Sequence, residues 1–176
     1  NAYDDAINWS TAFTVNGGYV LAYSRGNDGI DCNGSATSLN GGVVIAAGTE
    51  EAIDANCDGM GGVQGHLYIN GSTIIAFRAS SGGMGGGGMA LLDSPTYQNG
   101  QKYVSPSSMT AGTTYCLKNS SGEAVVVYEH KSVTGSGFEN EAINRPPPQP
   151  GGSSSSYVIT SPQITTGNYT LYTNPT

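Results

Sequence analysis

The segment Tyr3-Asp-Asp-Ala-Ile-Asn8 recurs twice in the first half of the chain, as Asn27-Asp-Gly-Ile-Asp31 and as Glu50-Glu-Ala-Ile-Asp54. The isoleucine of each copy lies 23 residues after the isoleucine of the previous copy. A constant period of this length is typical of solenoids, in which each repeat forms one turn and stacks on the next. The sequence therefore predicts an array of stacked repeats.

A second repeated segment follows each copy of the first. Its three copies begin at Val15, Leu39 and Ile69, and each has an apolar residue, then Asn-Gly, then a run of mostly apolar and β-branched residues. Asn-Gly favours a turn, the apolar run favours a strand, and neither favours a long helix. Residues 57–65 interrupt the alignment before the third copy and are predicted to form a loop. We therefore predict an all-β solenoid over residues 1–92.

The remaining residues, 93–176, have no evident repeat. Segments at 114–118, 124–128, 157–162 and 169–173 predict a β hairpin and two further strands that cap the solenoid or cover its side. Residues 145–156 are rich in Pro, Gly and Ser, which predicts an exposed loop or short linker.

The composition limits the partners. The 176-residue chain has six Lys and Arg against thirteen Asp and Glu, giving a net charge of −7. A nucleic-acid partner requires clustered positive charge, and a membrane span requires about 18 consecutive apolar residues. The sequence has neither feature, so we expect no nucleic-acid partner and no membrane span.

The three cysteines, Cys32, Cys57 and Cys116, match no metal-binding spacing and allow at most one internal disulfide. Cys57 can pair with Cys32 across adjacent repeats, or with Cys116 between the two halves of the chain. A disulfide favours an oxidising compartment, and we expect the protein to be secreted, either extracellular or at the cell surface.

Stacking the repeats places acidic side chains in columns. One column contains Asp5, Asp28 and Glu51, and the neighbouring column contains Asn8, Asp31 and Asp54. Adjacent strands are about 4.8 Å apart, where like charges repel by roughly 1 kcal/mol in water and by more where solvent is excluded. Such columns therefore require solvation, protonation or a cation. Ca²⁺ is the first candidate because it prefers carboxylate and carbonyl oxygens, and the alternative is a solvated ridge of turn-forming Asp and Asn.

The strand face opposite the predicted core is also apolar, and it contains Tyr19, Tyr23 and Phe77. Two explanations remain open. The second half of the chain covers this face, or the three aromatic side chains form a platform that binds sugar rings or a partner.

These features together resemble a family of secreted bacterial carbohydrate-binding domains. The resemblance rests on the Ile-Asp turns, the Asn-Gly-Gly strands, the Gly-rich segment at 80–90 and the closing segment at 161–172. It implies a right-handed parallel β-helix and a non-catalytic, Ca²⁺-dependent module that binds acidic polysaccharides such as polygalacturonate, or cellulose. It also implies a set of metal ligands, namely Asp5, Asp28, Asp31, Glu51 and Asp54.

Two other functions are alternatives. The first repeat has no preceding strand, and end-to-end stacking of solenoids would make the protein a self-assembling subunit of an extracellular filament. A pectate-lyase-like enzyme would share the β-helix and Ca²⁺ but needs a strong base beside the metal, and only Arg25 is next to an acidic column. We therefore expect no catalytic residues. The expected partners are polysaccharide, copies of the same chain, or both.

Overall fold

The computed structural model describes residues 2–34, 36–55, 66–78, 91–131 and 157–175. These residues form an all-β structure of thirteen strands. In chain order the strands are β1 (Ile7–Trp9), β2 (Ala12–Tyr23), β3 (Ile30–Cys32), β4 (Ala36–Gly48), β5 (Ile53–Asp54), β6 (Leu67–Ile69), β7 (Thr73–Arg78), β8 (Thr96–Tyr97), β9 (Lys102–Val104), β10 (Thr114–Asn119), β11 (Ala124–Glu129), β12 (Tyr157–Ser161) and β13 (Tyr169–Thr173). Nowhere in these ranges does a helix have the length and hydrophobicity of a membrane span.

The repeats pair in parallel and in the register that the sequence predicts. In the three-stranded sheet β1-β3-β5, Ile30 is paired with Ile7 on one side and with Ile53 on the other. In the large sheet β4 pairs in parallel with β2, and also with β6 and β7. The β-branched and apolar composition of β4 and β7 suits strands with buried runs that are covered on both faces, whereas most of β2 is exposed.

A fourth repeat follows, which was not predicted from the sequence. Leu92 forms a parallel bridge with Ile53, and β8 pairs in parallel with β6. Asn99 Nδ2 donates a hydrogen bond of 2.5 Å to Asn70 Oδ1, so the Asn-Gly turn is also repeated. The interval from Ile53 to Leu92 is 39 residues instead of 23, and a constant spacing therefore did not reveal this copy.

The predicted right-handed parallel β-helix is wrong, because the sheets are mixed. Strand β12 runs antiparallel to both of its neighbours, β7 and β9, and the sheet β11-β10-β13 is antiparallel throughout. The physical reason is that β12, from near the chain end, occupies the place beside β7 where the fourth repeat would otherwise continue the parallel pairing. A repeat pattern predicts which copies pair, but it does not predict a strand inserted between them.

Two hydrophobic clusters lie on opposite faces of the large sheet. Val44 and Ile74 face the sheet β1-β3-β5 and pack with Ile30 and Ile53, whereas their neighbours in sequence face β10 and β11. This alternation follows from the period of two in a strand. The position predicted as the domain boundary, residue 92, lies within the repeats, since β8, β9 and β12 belong to the same seven-stranded sheet. The predicted loop at 145–156 is outside the described residues.

Candidate metal site

The structure brings three of the predicted ligands together. One carboxylate oxygen from each of Asp28, Asp31 and Asp54 lies within 4.8 Å of the other two. Asp31 and Asp54 are adjacent because β3 and β5 are paired in parallel, and Asp28 precedes β3 in the connection from the large sheet. Asp28 is buried and the other two are half-buried, so the group is open to solvent on one side. These three carboxylates, which we call the Asp triad, can hold a metal ion.

Hydrogen bonds from backbone N–H groups to carboxylates connect the other predicted column, which contains Asp5, Asp28 and Glu51. The amide N–H of Asp28 donates to Asp5 Oδ1 at 3.2 Å, and the amide N–H of Glu51 donates to Asp28 Oδ1 at 2.6 Å. Each carboxylate thus accepts a hydrogen bond from the next repeat. Asp5 and Asp28 therefore link the repeats whether or not a metal is bound.

In the first repeat, an amide bridges two carboxylates. Asn8 Nδ2 donates to Asp5 Oδ2 at 3.0 Å and to Asp31 Oδ2 at 2.6 Å. One repeat further along, the equivalent of these three residues is the Asp triad, in which Asp31 replaces the amide of Asn8 with a carboxylate. In the second group the Asp31 carboxylate stands where the first group has the Asn8 amide, and a cation bound there would balance the negative charges.

The acidic groups are energetically unfavourable when ionised. Burial is the largest cause that raises the pKa of Asp28 to about 7 and that of Asp31 to about 6, and neighbouring carboxylates, including Asp54 and Asp5, contribute to both values. Burial also raises the pKa of Glu51 to about 8, with Asp54 as the next largest cause. A bound divalent cation would reverse these shifts, because it stabilises the ionised form.

Glu51 lies beside the Asp triad but outside it. Its side chain is only 7% exposed, and Oε2 has no hydrogen-bond partner in the part of the chain that the structure describes. Two charges near it were not predicted from the sequence. Asp93, in the Leu91-Leu92-Asp93 segment that matches Ala52-Ile53-Asp54, raises the pKa of Glu51, and Arg78 lowers it. The Leu-Asp pair was the signal for Asp93, whereas nothing in the sequence indicates that Arg78 reaches this site.

Arg78 reaches the site from the end of β7. Its Nη1 donates hydrogen bonds to the backbone carbonyls of Thr49 and Glu50, which precede Glu51. Arg25, the basic residue that the sequence placed beside an acidic column, is exposed.

The predicted aromatic platform is not assembled, because Tyr23 and Phe77 are buried at 5% and 2% exposure. They contact each other edge to face, with ring centroids 5.7 Å apart, and pack against Tyr115 and Tyr128 of the β11-β10-β13 sheet. The alternative explanation, that the second half of the chain covers this face, is confirmed. Only Tyr19 is exposed, at 65%.

The cysteines do not establish a pairing. Cys32 and Cys116 are buried in strands of different sheets, β3 and β10, and Cys57 lies outside the described residues. The disulfide and the oxidising compartment therefore stay predictions.

Comparisons of the chain with protein-family models, with curated proteins and with solved structures found no match. The resemblance to carbohydrate-binding domains accordingly stays a prediction. The Asp triad provides the geometric basis for a functional proposal.

Proposed function

We propose that the protein is a non-catalytic extracellular module that binds an acidic polysaccharide through Ca²⁺ held by the Asp triad. The observation that carries this proposal is the Asp31 carboxylate of the triad, which stands where the first group has the Asn8 amide. When ionised, carboxylates whose oxygens lie within 4.8 Å of one another repel, and a bound cation offsets this repulsion.

The donor set favours Ca²⁺ among the common divalent cations. Ca²⁺ binds six to eight oxygens at 2.3–2.6 Å, whereas Mg²⁺ requires a near-ideal octahedron at about 2.0–2.1 Å. Oxygens bound to one Ca²⁺ ion can be up to about 5 Å apart, and the separations in the Asp triad, all within 4.8 Å, are compatible with this limit. Thiol and imidazole groups are absent from the triad, which argues against a softer metal.

A cation in the Asp triad would allow an acidic ligand to bind. A protein of net charge −7 repels a polyuronate unless a cation lies between them. Three carboxylates supply at least three of the oxygens that Ca²⁺ requires, which leaves positions for a ligand carboxylate on the solvent side, where Asp31 and Asp54 are half-buried. The exposed amides of Asn8 and Asn33, which contact Asp31, lie beside this opening and are suited to sugar hydroxyls.

A co-sedimentation assay with insoluble calcium polygalacturonate tests the proposal. We expect wild-type protein to sediment in Ca²⁺ and to remain in solution in excess chelator, with the polymer kept insoluble by covalent cross-linking at neutral pH. Asp31→Asn should weaken binding at least tenfold, while Glu129→Gln, an exposed carboxylate on β11, should not change it. Equal sedimentation of Asp31→Asn and wild type would refute the role of the triad. Binding to cellulose but not to polygalacturonate would refute the choice of an acidic ligand.

A further inference from the structure

Strand β12 interrupts the fourth repeat. It lies between β7 and β9 and is antiparallel to both, with Ile159 paired to Ile75 on one side and to Val104 on the other. When the third and fourth repeats are aligned on Asn70 and Asn99, Ile75 and Val104 occupy equivalent positions. The two repeat strands thus keep their register across the inserted strand, and they are about 10 Å apart, the width of two strand spacings. We call this one-strand gap the slot.

The side chain of Gln101 lies where the third and fourth repeats separate, at one end of the slot. Gln101, only 2% exposed, accepts a hydrogen bond at Oε1 from the Gly71 N–H at 3.1 Å. Its Nε2 donates to the Ser72 carbonyl oxygen at 2.8 Å and to Thr160 Oγ1 of β12 at 2.9 Å. The amide of Gln101 therefore satisfies backbone groups that direct pairing with the fourth repeat would otherwise satisfy. Gln101 therefore stabilises the point at which the fourth repeat separates from the third.

The inserted strand fills both hydrophobic clusters. Val158 packs against the cluster between the large sheet and β1-β3-β5, whereas Tyr157 and Ile159 pack against the cluster beneath β10 and β11. Thr160 and Ser161 are also buried. The slot without β12 would leave two apolar surfaces and two strand edges exposed to water, and we therefore expect it to be filled in every folded copy.

The strand that fills the slot belongs to a segment that we call the arm. We define the arm as residues 157–175, which contain β12 and β13, and β13 pairs with β10. The arm follows Lys131, the last described residue before it, after 25 residues, a longer connection than most within compact domains. Every contact that the arm makes is available equally to the arm of a second copy, so the choice between them depends on the connection and on protein concentration.

We propose that the arm exchanges between copies, so that β12 of one molecule fills the slot of another. Reciprocal exchange gives a closed dimer, and onward donation gives a linear chain. Because exchange is bimolecular, the arm should bind its own molecule in dilute solution and a neighbour in concentrated or surface-anchored protein. The partner is a second copy of this chain, and the main-chain hydrogen bonds of β12 provide the recognition.

A disulfide across the slot tests the exchange in the full chain. Thr73 Oγ1 and Ser161 Oγ are 3.2 Å apart, so cysteines at both positions are placed to form a bond. Thr73→Cys and Ser161→Cys are made in separate molecules that carry tags of different mass. The two are mixed, unfolded, refolded together at about 1 mM protein and at a hundredfold dilution, and oxidised in a glutathione buffer. Peptide mass spectrometry then identifies any bond between positions 73 and 161.

We expect this bond between differently tagged molecules in the concentrated sample and a loss of at least tenfold on dilution during refolding. The double variant Thr73→Cys/Ser161→Cys serves as the control, because it forms the bond within one molecule when dilute. The proposal is overturned if the double variant forms the bond and the mixture never does. If neither the mixture nor the double variant forms the bond, wild-type molecules with two different tags are refolded together and examined by native mass spectrometry. Mixed-tag oligomers that form only on refolding together and persist on dilution support exchange, and monomers alone refute it.

Discussion

Without Ca²⁺, the protein should become less stable as the pH rises from 6.5 to 8. The pKa of Asp28 rises to about 7 and that of Glu51 to about 8 in the fold, against about 4 in an unfolded chain. Groups with raised pKa values stabilise the fold while they are protonated, and this contribution is lost as the pH rises through the folded pKa values. His130 does not affect this window, because burial lowers its pKa and its penalty therefore appears below about pH 6.5.

The magnitude follows from the slope of about 1.4 kcal/mol per pH unit for one proton. Asp28 contributes over about 0.6 of a unit and Glu51 over about 1.2 units, so the loss of unfolding free energy is about 2.5 kcal/mol. For a chain of this size, that corresponds to a fall of about 5–10 °C in the melting temperature.

Differential scanning fluorimetry in chelator and in millimolar Ca²⁺ measures the effect. We expect the fall in chelator alone, because bound Ca²⁺ stabilises the ionised carboxylates and becomes more stabilising as the pH rises. Glu51→Gln should remove the larger part of the fall, since it replaces the group with the highest pKa of the pair. A melting temperature in chelator that is equal at pH 6.5 and 8, or an equal fall with and without Ca²⁺, would refute the electrostatic account.

Three further predictions concern single substitutions. Gly48→Ala should cost more than 3 kcal/mol in urea unfolding, because a Cβ there would overlap the carbonyl oxygen of Glu51, whereas Gly17→Ala, with no atom within 4 Å, should change stability by less than about 0.5 kcal/mol. Equal effects would contradict this packing. Gln101→Leu should cost about 2–3 kcal/mol in the same assay by leaving buried backbone groups unpaired, and an unchanged midpoint would contradict its role at the slot. Asn8→Asp should add a Ca²⁺ equivalent in calorimetry, because it converts the amide-bridged group into a second three-carboxylate group, and unchanged stoichiometry would contradict the equivalence of the two groups.

Much of the register was predictable because it depends on local chemistry that repeats. Ile30 requires the same apolar environment as Ile7 and Ile53. Pairing of these isoleucines places Asp31 beside Asp54. Three of the five predicted ligands are therefore in the Asp triad. Of the other two, Asp5 links repeats through its carboxylate and Glu51 is buried beside the triad.

The remaining features depend on contacts between distant parts of the chain. Nothing near Tyr157 in sequence indicates that β12 inserts between two repeat strands, and this insertion is what makes the sheet mixed. Burial of Tyr23 and Phe77 likewise depends on a sheet formed by residues after position 113. The different role of Asn8 was also hidden, since Asn and Asp look equivalent in a column until the amide hydrogen bonds are known.

Calcium titration by isothermal calorimetry at pH 7.5 tests the central claim most directly. Asp31→Asn is the informative comparison, because Asn8 already occupies the equivalent position in the first repeat and the substitution should leave the fold intact. We expect saturable Ca²⁺ binding by wild type. The dissociation constant of Asp31→Asn should be at least tenfold higher, a loss of about 1.4 kcal/mol in binding free energy. Absence of Ca²⁺ binding by folded wild type, or equal affinity in the two proteins, would contradict this claim.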